Sequence, residues 1–178
     1  CNASPAADGV PALLVLDAEV ELRSAKAARR LPLGEFILGN RRTALASGEM
    51  VTAIRVPKRA AAGTSAFVKL GARRYLVISI AMAAARLVVA DGVVAEAAVS
   101  VGACSAVARR LAGVEAALLG LPANEALSLA VLAAPIDELS PIADVRGSAE
   151  YRLDAAREIA ARAVLGAIGH AAGDKVAA

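Results

Sequence analysis

Two apolar runs, Ile78 to Val89 and Val93 to Val101, meet at Ala90-Asp91-Gly92. Asp-Gly supplies the positive-φ residues that a tight reversal between antiparallel strands requires, so this segment predicts a β-hairpin inside an antiparallel sheet. Whatever covers that hairpin must be built from small groups. The chain is 58% hydrophobic but only 2% aromatic, which leaves Ala, Val and Leu to fill the core through close backbone approach. Its 178 residues suffice for one ordinary domain or two small ones, and their apolar content excludes disorder over most of the length.

Several function classes fall away on composition. Twenty basic residues stand against 17 acidic ones and are interspersed, apart from pairs such as Arg29-Arg30, Arg41-Arg42 and Arg73-Arg74, whereas a nucleic-acid footprint is denser. The longest apolar stretch, Tyr75 to Ala85, ends at Arg86 and is far shorter than the roughly 20 residues of a membrane helix. Cys1 and Cys104 lie far apart with no Cys-x-x-Cys pair, so an iron–sulfur cluster has no ligand set here. His170 is the sole histidine, which excludes a histidine-rich metal site and a histidine-based triad. Neither a Walker loop nor a Gly-x-Gly-x-x-Gly fingerprint occurs.

Local patterns divide the chain. A short helix is expected from Pro11 through Leu16, with proline in its first turn. Glu19 to Arg23 alternates as a half-buried strand, Leu31 to Phe36 reads as a turn with apolar anchors, and Glu49 to Val56 alternates until Pro57 stops it. Lys58 to Thr64 is a basic, small-residue junction. Beyond the hairpin, Leu111 to Leu119 is helical in period and ends at Gly120, and Glu125 to Ala134 repeats the pattern up to Pro135. Ser148 is placed to cap a last helix reaching about Ile168, with Glu158 and Arg162 at the favourable i,i+4 spacing.

The opening octet, Cys1-Asn2-Ala3-Ser4-Pro5-Ala6-Ala7-Asp8, lacks a start methionine and reads as the inside of a binding loop. Short polar side chains around a proline fold back onto backbone groups and leave amides and oxygens for a ligand. Four further stretches follow: Pro11 to Val20, Gly48-Glu49-Met50-Val51-Thr52, Phe67-Val68-Lys69-Leu70-Gly71-Ala72-Arg73-Arg74, and Pro141 to Arg152 with Asp144-Val145-Arg146-Gly147-Ser148 inside it. In this order they resemble the FAD-binding (medium) subunit of the xanthine dehydrogenase / carbon monoxide dehydrogenase family of molybdenum hydroxylases. The octet is similar to that family's second flavin loop, which Gly-Gly-Asn and one apolar residue normally precede. The resemblance therefore implies a fragment, the back half of such a subunit, with Cys1 beside the cut. One departure is Ala106, where relatives tend to have proline, and it bears on loop stiffness.

What the resemblance implies is an α+β fold. Residues 1–58 would be the C-terminal part of a PCMH-type FAD-binding domain and 59–63 a linker. Residues 64–168 would be a CO dehydrogenase flavoprotein C-terminal-like domain, an antiparallel sheet packed with helices, and 169–178 a tail. Such a subunit holds FAD and relays electrons from iron–sulfur centres to NAD or another acceptor. Molybdopterin and 2Fe-2S clusters sit on its partners, a large molybdopterin-binding subunit and a small iron–sulfur subunit, in a dimer of heterotrimers. A cytoplasmic setting is the default. The alternative is a truncated structural or docking module that does not bind FAD alone.

The resemblance points to Ser4, Asp8, Val51 and Lys69 as FAD contacts and to no catalytic or metal-binding residue on this chain. An aromatic cage is excluded by composition. Asp8 has two readings: a carboxylate beside the flavin, or a cap for the helix near Pro11. Ser4 and Asn2 are equally explained by turn chemistry. Lys69 by resemblance reaches the flavin, where a cation near the pyrimidine edge would raise the reduction potential; by composition alone it is one more solvated lysine. Val51 is by resemblance an apolar residue whose backbone meets the flavin region, and otherwise an ordinary strand valine. Tyr75 could shield the ring or simply be half-buried, and Arg73 and Arg74 could meet phosphate, a neighbouring subunit or solvent. Asp144, with Arg146 or Arg152, is read as fixing the start of the last helix or docking a subunit, together with Tyr151.

Overall fold

A computed structural model describes residues 3–173, with side chains followed through residue 169. Cys1, Asn2, the His170 side chain and residues 174–178 lie outside the described set. The first unit opens with helix α1 (Gly9–Val15) and strands β1 (Glu19–Arg23) and β2 (Ala28–Pro32). Next come the single turn α2 (Leu33–Phe36), the short strands β3 (Ile37–Gly39) and β4 (Arg42–Thr43), and β5 (Met50–Arg55). β1 lies between β2 and β5, antiparallel to both. Val20 and Leu22 point from β1 into a small core with Leu33, Phe36 and Ile37, so Leu31 to Phe36 does provide the expected anchors. The opposite face of β1 departs from expectation. Glu21 is buried there, held by Arg23 at 2.9 Å, Arg55 at 2.6 Å, Arg30 at 3.5 Å and Thr52 Oγ1 at 3.2 Å.

The junction at Lys58–Ala61 is a 3-10 turn that buries Ala60 and leaves the residues on either side of it exposed. It delivers the chain into β6 (Thr64–Leu70), a strand that the sequence reading left unassigned. The hairpin then forms from β7 (Ala81–Ala90) and β8 (Val93–Gly102), with Asp91 and Gly92 both at positive φ. β9 (Arg109–Arg110) completes a sheet ordered β6-β7-β8-β9. Residues 78–80, expected inside the first hairpin strand, remain outside it.

β7 explains the small-residue composition. Seven consecutive residues from Ala81 to Leu87 are buried, because helices cover both faces of this strand. Ala81, Ala83, Ala85 and Leu87 face the long helix α5 (Ala149–Gly173), packing with Ala156, Ala160, Ala163 and Val164. Ala84 faces the other way, against Val15 of α1. Methyl-sized side chains bring helix and sheet so close that a Cβ on Gly166 would lie 2.9 Å from that of Ala66. Leu87 and Leu111 are fully buried, and burial of a side chain this size contributes about 1.5–3 kcal/mol.

Helices α3 (Ala112–Leu118) and α4 (Leu127–Ala133) close the remaining side, near their expected bounds. Gly120 has the expected positive φ, yet its N–H donates to Val94 O rather than to the helix. Ser148 Oγ accepts the N–H of Tyr151 at 3.1 Å, so it caps α5, and Arg162 Nε meets Glu158 at 2.7 Å. α5 continues to Gly173, past the expected stop near Ile168, so the described part of the tail is helical.

α1 is fastened to the second sheet by two arginines. Arg86 Nε donates to Val15 O at 3.0 Å, and Arg110 donates to Leu14 O at 3.1 Å and Asp17 at 3.0 Å. Carbonyls at the end of a helix have no intrahelical partner, and cationic donors satisfy them well. Arg110 is itself held by Glu115, which also accepts the N–H of Val99 at 2.9 Å.

Candidate functional site

The α1–sheet contact fixes what lies just ahead of α1. Along β6, Ala66, Val68 and Leu70 pack on the α5 core, and the intervening residues Ser65, Phe67 and Lys69 point to the opposite face. That period of two puts Lys69 on the side occupied by α1. Its Nζ donates to Asp8 Oδ2 at 2.6 Å and to Val77 O at 2.9 Å. Ser79 Oγ donates to Asp8 Oδ1, also at 2.6 Å. Two residues 61 positions apart in sequence thus form an ion pair, with a buried hydroxyl on its far side.

Asp8 does not cap α1. Its backbone is already helical, at φ −56° and ψ −31°, and its side chain makes no capping bond. Partial burial pushes its carboxyl up, but hydrogen bonds from Lys69 and Ser79, with the lysine's charge, outweigh that and leave it below its ordinary value. It is therefore a carboxylate at neutral pH. Among the described residues Lys69 keeps one ammonium proton beyond the two it donates to Asp8 and Val77.

Ser4 and Val51 lie elsewhere. Ser4 Oγ accepts the N–H of Ala6 at 3.3 Å and lines a cavity of about 610 Å³ together with Ser79, Ser105, Arg109 and Arg152. Val51 lines an apolar cavity of about 180 Å³ with Gly9, Val10 and Leu13. The start of the octet borders the first cavity and its end the second, so the four candidate contacts form one pair and two outliers around a single loop.

Of the other candidates, Tyr75 is exposed, with the Arg74 guanidinium 5.2 Å from its ring centroid. Arg73 donates to Leu76 O and ties the loop to itself. Asp144 joins both expected partners, Arg146 at 2.9 Å and Arg152 at 2.7 Å. Arg152 is buried and also donates to Ile80 O at 2.6 Å and Ala103 O at 3.1 Å, while its Nε has no partner among the described residues. Burial pushes the Cys104 thiol up to about 11 against the nearby Arg152 charge, so it is protonated at neutral pH. Among the described residues no cluster could hold a metal ion, and no helix is long and apolar enough to cross a membrane.

Ser79 was missed in the sequence. The available signal was its isolation: it is the one hydroxyl in the apolar run from Leu76 to Ala85, and a buried hydroxyl requires a partner.

Residues 66–167 match the family model of the CO dehydrogenase flavoprotein C-terminal domain, and residues 1–59 match that of the FAD binding domain in molybdopterin dehydrogenase. The chain belongs to the flavoprotein, or medium, subunit family of the molybdenum hydroxylases. It is 30% identical over 154 residues to the nicotine 6-hydroxylase medium subunit of Paenarthrobacter nicotinovorans, covering 86% of this chain and 53% of that protein. It is 39% identical over 82 residues to the nicotinate dehydrogenase FAD-subunit of Eubacterium barkeri, covering 44% of this chain and 28% of the relative. Among solved structures, a reconstituted CO dehydrogenase from Oligotropha carboxidovorans superposes with a TM-score of 0.85 at 28% identity, covering 94% of this chain and 58% of the other. Quinoline 2-oxidoreductase from Pseudomonas putida 86 gives 0.82 at 25% identity, covering 96% and 59%. This flavoprotein-family chain thus spans about half the length of the medium subunit that it matches over most of its own length.

Proposed function

We propose that this chain holds FAD in a molybdenum hydroxylase, with Asp8 and Lys69 as the polar contacts, Val51 as an apolar one and Ser4 in the adjoining turn. The observation that carries the reading is the Lys69–Asp8 ion pair, with one ammonium proton still to donate. The residues fit part of such a cofactor. Ala7 and Gly9, the chain neighbours of Asp8, line a carbon-walled cavity with Val10 and Val51, where the apolar flank of a flavin ring could rest. Bound FAD would supply the redox chemistry, taking electrons from iron–sulfur centres and passing them to NAD or another acceptor. The chain's own residues bind, orient and set the local charge. Asp8 anchors the ammonium, and the ammonium offers positive charge at a developing anion.

The same proposal includes a large molybdopterin-binding subunit and a small iron–sulfur subunit in a dimer of heterotrimers, in the cytoplasm. It divides the chain at residues 59–63, a division supported by the separate sheets and by the two family matches on either side. Titrating FAD into the purified chain, followed by flavin fluorescence and thermal stability, tests the reading. Saturable micromolar binding that Lys69→Met weakens about tenfold or more supports it, since a hydrogen bond from a charged donor is worth about 1.5–3 kcal/mol. Absence of binding would leave a docking module instead. Unchanged affinity in Lys69→Met would remove the lysine from the site.

A further inference from the structure

The exposed ion pair rests on a buried support. Ser79 is 2% exposed, whereas the Lys69 and Asp8 side chains are 29% and 44% exposed. A lysine–carboxylate pair in contact with water ordinarily exchanges partners with solvent and adopts several geometries. Here one carboxylate oxygen is taken by the hydroxyl of a buried serine. The residue after Ser79 is clamped from two sides: Ile80 N donates to Leu70 O at 2.8 Å, and Ile80 O accepts from Arg152 at 2.6 Å. With Oδ1 fixed by Ser79, Oδ2 is aimed at the ammonium. The Val77 carbonyl then takes a second ammonium proton at 2.9 Å, which determines the direction of the third.

We propose that Ser79 is a positioning residue for the cofactor-facing cation: its hydroxyl fixes the rotation of the Asp8 carboxylate, and Asp8 in turn aims the free proton of Lys69. This rests on the reading of Lys69 as a flavin contact. The Asp144–Arg152 pair belongs to the same support, because it clamps the backbone that carries Ser79. An otherwise structural motif near the start of α5 thereby acts on the site through one serine.

Ser79→Ala is compared with Ser100→Ala. Ser100 is equally buried and donates to Arg109 O at 3.0 Å, with no bond to Asp8 or Lys69, so it controls for the loss of a buried hydroxyl. The first measurement is a carbon-13 NMR titration of the Asp8 carboxyl in the chain without FAD. Ser79→Ala is expected to move that titration up toward the ordinary carboxyl range; Ser79→Thr, which keeps the hydroxyl, restores it; and Ser100→Ala leaves it alone. The second is FAD affinity, expected to weaken about fivefold to tenfold in Ser79→Ala and to be unaltered in Ser100→Ala. Identical behaviour of the two alanine variants overturns the proposal. A Lys69→Met variant separates the two layers: if it leaves FAD affinity unchanged, the flavin reading fails. If it weakens binding while Ser79→Ala changes neither measurement, only the role of Ser79 fails. The carboxyl titration decides that role even where FAD does not bind.

Discussion

Gly63 and Gly92 share nearly the same backbone, at φ +83° and +78°, but differ in what surrounds them. At Gly92 a Cβ would meet nothing within 4 Å. At Gly63 it would sit 2.0 Å from the carbonyl oxygen of Leu87 and 2.8 Å from its carbonyl carbon. Replacing either by alanine incurs about 1–2 kcal/mol of left-handed strain, partly offset by about 0.4–1 kcal/mol from a less flexible unfolded chain. Gly92→Ala should therefore cost about 1 kcal/mol. Gly63→Ala must also push two backbones apart by about 1.5 Å to reach ordinary contact. β7 cannot yield, because it pairs with β6 on one side and β8 on the other, and Leu87 is itself fully buried. That overpacking adds about 1–3 kcal/mol, for a total of about 2–4 kcal/mol. The two variants should thus differ by several degrees in Tm, at about 2–4 °C per kcal/mol for a chain of this size. Urea and thermal unfolding followed by far-ultraviolet circular dichroism measure both. Equal midpoints for Gly63→Ala and Gly92→Ala would show that the close approach at the junction carries no energy, and the argument would fail.

Two further outcomes follow from the charged groups. The Glu21 carboxyl is lowered to about 2 by hydrogen bonds from Arg55 and Arg23, and Glu49 to about 2 by Arg29 and the Ala46 N–H, from an ordinary 4.5. Folded values below unfolded ones mean that this stability is complete above the unfolded value and is lost as pH falls from 4.5 toward 2, so Tm should hold at neutral pH and fall across that window. Glu21→Gln should flatten the fall; an unchanged acid profile would refute the assignment. Arg152→Met removes the donor from Ile80 O, Ala103 O and Asp144 together, and should cost about 2–4 kcal/mol in urea unfolding, near the lower end for a broken buried pair because Asp144 can reach water. Arg152→Lys should recover less than half of that, since one ammonium cannot reproduce the fork. Full recovery would mean that charge alone matters.

Which elements could be read from the sequence depends on whether local signals decided them. The β7–β8 hairpin needed only two apolar runs and Asp91-Gly92, and the α5 cap needed only Ser148 before a periodic stretch. β2 was hidden because Arg29 and Arg30 interrupt any apolar alternation; it is a strand only because β1 offers it a partner edge. β6 had a legible period of two in Thr64, Ala66, Val68 and Leu70, but its small residues resembled the junction before it. Glu21 looked like the wet side of a half-buried strand. Its burial depends on Arg30 and Arg55 arriving from two other strands, which no local window contains.

The site shows the same limit from the functional side. Asp8 and Lys69 were each identifiable by resemblance to a family motif, but their contact depends on α1 lying against the second sheet. That docking rests on Arg86 and Arg110, whose side chains reach carbonyls 71 and 96 residues away in sequence. In an apolar run these arginines read as interruptions, yet each satisfies backbone groups that a short helix leaves open. The distance between Asp8 and Lys69 is therefore set by the packing of α1 rather than by either motif, and that packing has the methyl group of Ala84 against Val15. A larger residue at Ala84 would lift α1, and with it the carboxylate that holds the cation in place. The alanine-rich composition, which at first constrained only the core, thus sets the geometry of the candidate cofactor contact as well.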